Sequence, residues 1–104
     1  MMPATNADAP VCLILINYVV PLDEVDRHMK PHIDWLERGY VEGLFLMSGR
    51  RNPRTGGVIV CRGHKVEVEA LAASDPFVTS GAATIEVIEF NASWAAEAVA
   101  PLFA

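Results

Sequence analysis

At 104 residues the chain has room for one domain with one core, and 52% of its residues are apolar against 20% charged. That apolar share is high for a small domain and implies that a partner hides part of the surface. The net charge of −5 excludes a nucleic-acid binder, which needs a basic face, and disfavours an anionic membrane surface as partner.

Residues 1–10 are small, polar or proline and read as a frayed tail. Lys and Arg are absent before Arg27, so the segment lacks the charged start of a secretory signal, and a cytoplasmic location is expected. Val11 to Val19 is β-rich and apolar on both faces, the pattern of a strand covered on both sides. The apolar run is broken by Asn17 and stopped by Pro21, too short to span a bilayer. Pro21-Leu22-Asp23 opens a helical segment, with Asp23 as the expected N-cap and Glu24 and Asp26 in the first turn. Val25, Met29, Ile33, Leu36 and Tyr40 recur at three- and four-residue spacing, one helical stripe. Pro31 interrupts it, and two short helices or one kinked helix both fit. Gly43 ends the helix or the turn after it.

Leu44 to Ser48 reads as a second strand, followed by a polar connection from Gly49 to Thr55. Gly56-Gly57 is read as a tight turn into a third strand, Val58 to Cys61. Val66 to Ala73 is a second helix, with Val66, Ala70 and Ala73 on one side, and Asp75-Pro76 breaks it. Ala83 to Phe90 is the last strand. Residues 92–104 are a C-terminal extension in which a short helix over 92–102 is stopped by Pro101. The order β-α-β-β-α-β over residues 11–91 is ferredoxin-like: an α+β fold with a four-stranded antiparallel sheet and both helices on one face. The other face is bare within the chain. A second copy of the sheet is the economical cover, so a homodimer is expected.

The two cysteines, Cys12 and Cys61, lie in strand-like runs and read as buried reduced thiols. His28 and His32 share i, i+4 spacing but lack a third ligand, so no metal is expected. His32 lies on a segment patterned for burial, and Asp75 sits at a helix exit from which a loop can return to the core. Brought together, they form a minimal acid–base dyad, Asp75 orienting the imidazole. Apart from that role, His32 has the plainer reading of a satisfied core residue, and Asp75 that of a helix-stop residue bonding nearby amides. Arg50, Arg51 and Arg54 form the one basic cluster, a solvated loop or an anion clamp. Arg54 is the first choice for the clamp because Pro53 and Gly56 hold its loop, with Arg50 second. Ser48 lacks a nucleophile-elbow pattern and is a substrate contact at most. Tyr18, Trp35 and Phe77 read as core residues, with Tyr18 and Phe77 also suited to wall a small cleft.

Several segments in fixed order resemble the YciI-like (YCII-related) domain. They are Lys30-Pro31-His32, Gly43 eleven residues after the histidine, Leu44-Phe45-Leu46-Met47-Ser48-Gly49, Asn52-Pro53-Arg54-Thr55-Gly56-Gly57, and Asp75-Pro76-Phe77-Val78 before Gly81. The resemblance covers about residues 11–91. It implies a dimeric α+β barrel and an active site whose histidine and aspartate map to His32 and Asp75. Some relatives are lyases on halogenated hydroxyaromatics, and the wider superfamily includes isomerases and monooxygenases. Arg50 departs from the pattern, since many members carry proline there, which bears on the shape of the loop. Two functions follow as expectations. One is a small cofactor-free lyase or isomerase acting on a small anionic substrate, aromatic rings among the candidates. The other is a non-catalytic dimeric domain that binds a small ligand or assists another enzyme.

Overall fold

The doubly apolar first segment becomes a central strand, β1 (Pro10–Tyr18), in the computed structural model, which describes residues 8–103. It pairs on one side with β3 (Gly56–Arg62) and on the other with β4 (Ala83–Asn91), while β2 (Phe45–Arg50) lies outside β3. All pairings are antiparallel, in the order β2-β3-β1-β4. The helices are α1 (Leu22–Asp26), α2 (Met29–Val41), α3 (Lys65–Ala72) and the single turn α4 (Pro76–Thr79). The expected ferredoxin-like arrangement is present, with α1 and α4 as short additions before α2 and after α3.

Strand alternation sorts the side chains into two faces. Cys12, Ile14 and Ile16 of β1 share one core with Ile59 and Cys61 of β3, Val87 of β4, and Val25, Trp35, Val68 and Phe77 from the helices. The opposite, open face carries Leu13 and Leu15, in register with Val60 and Val58 of β3 and with Ile88 and Glu86 of β4. Met47 and Phe90 join them there and are 59% and 43% exposed. The chain itself covers the helix side of β1 and, at the start of the strand, Val11 on the other face, which is 1% exposed, while Leu13 and Leu15 there are half-buried.

A bulge in β2 decides which residues reach the helix side. Phe45 opposes Cys61 but Met47 opposes Val60, so two residues of β2 advance against one of β3. The extra residue reverses the phase of the strand, and Phe45, Ser48 and Arg50 all face the helices while Met47 faces out. Arg50 therefore belongs to the strand and not to the connection after it.

Several local expectations give way to longer-range contacts. Pro21, not Asp23, is the N-cap of α1, and Asp23 lies inside the first turn. The helical segment divides at Arg27–His28 rather than at Pro31. Pro31 is the third residue of α2, where a backbone amide has no helical partner to lose, and the first bond runs from the His32 amide to the His28 carbonyl at 3.1 Å. Gly43 closes α2 with φ +74°, its amide bonding Tyr40 and the Leu44 amide bonding Gly39. The buried line of α2 is His32, Trp35 and Gly39; Ile33 and Tyr40 of the expected stripe are exposed, and Met29 and Leu36 half-buried. The cause is Phe45: a Cβ on Gly39 would meet its ring at 2.1 Å, so α2 turns its glycine onto that ring.

On α3 the expected side, Val66, Ala70 and Ala73, is exposed, and Val68 and Ala72 are buried. In so short a helix with valine at both 66 and 68, contact with β1 and β4 selects the phase. Gly56 and Gly57 lie within β3 instead of forming a turn before it. The C-terminal helix expected over 92–102 reduces to a 3-10 turn, Ala100–Phe103, with Pro101 inside it. Of the expected tail, Pro10 opens β1, and residues 1–7 lie outside the described residues.

Cys12 and Cys61 are direct cross-strand partners, both free and fully buried. Burial, reinforced by the neighbouring Cys12, pushes the Cys61 thiol up to about 11. Burial also raises Cys12, followed by the Glu89 and Glu69 carboxylates. The folded state thus holds the Cys61 proton more tightly than the unfolded chain does. Its contribution is complete below the ordinary thiol pKa of about 8.5 and is lost as pH rises towards about 11. Thermal melts should therefore fall in midpoint across that window, and fall less steeply for Cys61→Ser, whose hydroxyl does not ionise there. An identical alkaline slope in the two proteins would contradict this.

Candidate active site

His32 enters the core because α2 turns that line inward, and it meets Asp75, which N-caps the turn α4. Its Nδ1 lies 2.7 Å from Asp75 Oδ1. The same oxygen accepts the Phe77 amide at 3.0 Å, which pins the carboxylate. Both side chains are buried, Asp75 to 1% exposure and His32 to 8%. A carboxylate only accepts, so Nδ1 carries the hydrogen and Nε2 is left as the second ring nitrogen. The imidazole stacks on Phe77 at 3.9 Å and 12°, with Trp35 more distant at 6.0 Å. Trp35 is itself tied to Ser74 by a 3.0 Å hydrogen bond. Asp75 Oδ2 is buried without a hydrogen-bond partner among the described residues, so the carboxylate is held through one oxygen.

His32 lines a cavity of about 200 Å³ between the sheet and α2, and Tyr18, Ser48, Arg50 and Phe77 line it too. Its walls are mainly apolar: Met29, Ile33 and Leu36 from α2 face Ile16 and Ile59 of the sheet. Ile33, Ser48 and Arg50 are exposed, so the cavity opens to solvent at that rim. Tyr18 meets Phe77 edge-on at 5.7 Å. Asp75 does not line the cavity; it acts on His32 from behind.

The arginines separate. Arg50 lines the cavity on the helix side of β2. Arg54 does not, and its guanidinium donates to Asp26 at 2.6 Å and lies 5.9 Å from the Tyr18 ring centroid. The hydrogen bond to Asp26 moves its pKa upward, and the guanidinium is ion-paired with that carboxylate. Arg51 donates to the Asn17 side chain at 2.6 Å.

Sequence reasoning missed Tyr40. Its hydroxyl lies 2.6 Å from Ser48 Oγ and so fixes the hydroxyl that faces the cavity, while its ring packs edge-on against Phe45. No local pattern signals that pair, because the β2 bulge decides where Ser48 points. His28 Nε2 lies 3.4 Å from Glu24. Among the described residues no group of three or more His, Cys, Asp or Glu side chains is placed to hold a metal. Nor is any described helix long and apolar enough to cross a membrane.

A family model described as the YCII-related domain matches residues 10–91. No curated protein matches the sequence. Among solved structures the fold is similar to 5-chloro-2-hydroxyhydroquinone dehydrochlorinase from Burkholderia phenoliruptrix AC1100, in complex with 2,5-dihydroxybenzoquinone. The TM-score is 0.66 at 17% identity, over 78% of this chain and 93% of that one. At that identity the likeness speaks for the fold, a four-stranded antiparallel sheet with helices on one side.

Proposed function

We propose that this chain, which belongs to the YCII-related domain family, is a small cofactor-free enzyme of lyase or isomerase type. The observation that carries the reading is the buried His32–Asp75 bond at 2.7 Å beside an apolar cavity open to solvent. His32 acts as the proton shuttle through Nε2, and Asp75 keeps Nδ1–H in place and stabilises the imidazolium once it forms. In a lyase step, Nε2 takes the substrate proton, the freed electron pair forms a new double bond, and the leaving group departs with its bonding electrons. In an isomerase step the same nitrogen returns the proton at another carbon.

The substrate is a small anion, with aromatic rings favoured by the apolar walls of Tyr18 and Phe77. Arg50 takes its charged end and Ser48 hydrogen-bonds it. Arg54, paired with Asp26, secures the Tyr18 wall instead. The hydroquinone chemistry named for the structural neighbour is consistent with this reading. The open sheet face takes a second copy of the chain, giving a homodimeric α+β barrel.

The test is a turnover screen of hydroxylated aromatics and lactones. With a substrate in hand, Arg50→Gln should raise KM roughly 10- to 100-fold, the worth of a charge-assisted hydrogen bond, with little change in kcat. Arg54→Gln should leave KM near the wild-type value. The reverse pattern would return the anion to Arg54. A protein that binds such compounds without converting them is a ligand-binding domain, and the enzyme reading fails.

A further inference from the structure

We infer that Gly57 determines the shape of the substrate: its bare backbone is a flat floor on which a single ring, and not a fused pair, lies between Arg50 and Ile16. This deepens the function proposed above and rests on it. Gly57 stands in the middle of a cross-strand row on the helix side, opposite Ile16 of β1 and Arg50 of β2. The preceding row, Ile14, Ile59 and Ser48, is filled at its centre by an isoleucine. Where Ile59 supplies a side chain, Gly57 supplies none, and both line the cavity.

The glycine is not required by the backbone. Positive φ occurs at Gly43, Gly63 and Gly81, not at Gly57. Nor is it required by packing in the way its neighbour is. A Cβ on Gly56 would meet the Ile16 carbonyl oxygen at 1.7 Å, an impossible contact. A Cβ on Gly57 would press the Gly49 carbonyl oxygen at 3.1 Å, a contact that β2 relieves by yielding a few tenths of an ångström, and would otherwise meet only Ile16 Cδ1, at 3.8 Å, within 4 Å. Nothing from α2 reaches that position, so the space above it is the cavity. A glycine inside a strand loses stability and side-chain packing, and one of its uses is close approach by a ligand.

The dimensions agree. A cavity of roughly 150 Å³ lined by apolar side chains accepts benzene. The 200 Å³ here admits one substituted ring, with Ile33 and Leu36 above it and the Gly57 peptide below. The charged substituent then points to Arg50 at the open rim, and Ser48, held by Tyr40, lies on the same side.

The experiment titrates the protein with 2,5-dihydroxybenzoate and with 3-hydroxy-2-naphthoate, following the His32 ring resonances by NMR. Wild type should bind the single ring and not the fused pair. Gly57→Ala should weaken 2,5-dihydroxybenzoate by roughly 10-fold or more, the usual effect of one carbon in an apolar pocket, and Gly57→Val should abolish it. Val66→Ala is the control: Val66 is exposed on α3 and does not line the cavity, and binding should be unchanged. Unaltered affinity in both Gly57 variants overturns the role of Gly57 alone. Equal losses in Val66→Ala and Gly57→Ala do the same. Binding of the naphthoate by wild type overturns the single-ring limit even if the variants fail to fold. Failure of wild type to bind 2,5-dihydroxybenzoate overturns the aromatic-anion reading of the site, and this inference with it.

Discussion

His32→Asn should lower turnover by roughly 10²- to 10⁴-fold, the usual contribution of a positioned acid–base group, while the protein stays folded. Asparagine is the informative replacement because its amide nitrogen can take the place of Nδ1 and still donate to Asp75, yet it cannot accept a proton at the position of Nε2. His32→Ala removes the base as well, but it also takes away the side chain that Asp75 Oδ1 bonds at 2.7 Å. The buried carboxylate would then keep only the Phe77 amide, at a cost of about 1–3 kcal/mol in stability. It would also strip one face of the Phe77 ring, stacked at 3.9 Å. Asp75→Asn should reduce the rate too, through loss of the orienting charge. Activity assays and thermal melts on all three variants separate the roles. If His32→Asn keeps full activity on the substrate found, the proton-shuttle role is wrong. If it is inactive only where it is unfolded, the histidine serves the core.

The second large effect concerns assembly. Leu15→Glu should turn the proposed homodimer into an 11.3 kDa monomer at micromolar concentration. Leu15 lies on the open face beside Glu86 of β4, so the variant sets two carboxylates side by side where two sheets are proposed to meet. A two-fold axis makes the change twice per dimer, and each buried, unpaired charge costs several kcal/mol. The dissociation constant should rise at least about a thousandfold. An interface of this kind should bury more than roughly 1,000 Å² in total, and the apolar patch from Leu13 and Leu15 across to Met47, Ile88 and Phe90 is the candidate surface. Sedimentation equilibrium decides. A wild-type monomer sinks the barrel arrangement, and a Leu15→Glu variant that remains dimeric moves the interface to another surface.

The order of elements was legible in the chain because it depends on local signals. Val11 to Val19 is apolar at every phase and so reads as a central strand, whatever lies on either side. Gly43 marks a helix end because the closure it makes needs φ +74°. Asp75-Pro76 punctuates the chain, and Asp75 caps the turn that follows. Those same signals carried the resemblance to the YCII-related domain. They also singled out His32 and Asp75, since a histidine in an apolar helix and an aspartate at a helix exit stand out against their neighbours.

Phase was decided only in three dimensions. A period of 3.6 or 2 says that a face exists, and distant contacts choose which one is buried. Phe45, seated on Gly39, rotated α2 so that His32 points inward and Ile33 and Tyr40 point outward. One bulge between Phe45 and Met47 carried Ser48 and Arg50 to the helix side; without it both would face the open side of the sheet. Arg54 looked like the better anion clamp until the fold brought Asp26 to 2.6 Å from it. Gly57 read as half of a turn because two adjacent glycines usually mark one, yet its pairing with Ile16 and Arg50 places it on the cavity floor. By itself the chain determined the order of strands and helices and singled out two titratable groups, His32 and Asp75, that the fold brings to 2.7 Å. The tertiary structure decided which side chains share the cavity, because that depends on contacts between residues far apart in sequence and on a one-residue change of register that no local pattern encodes.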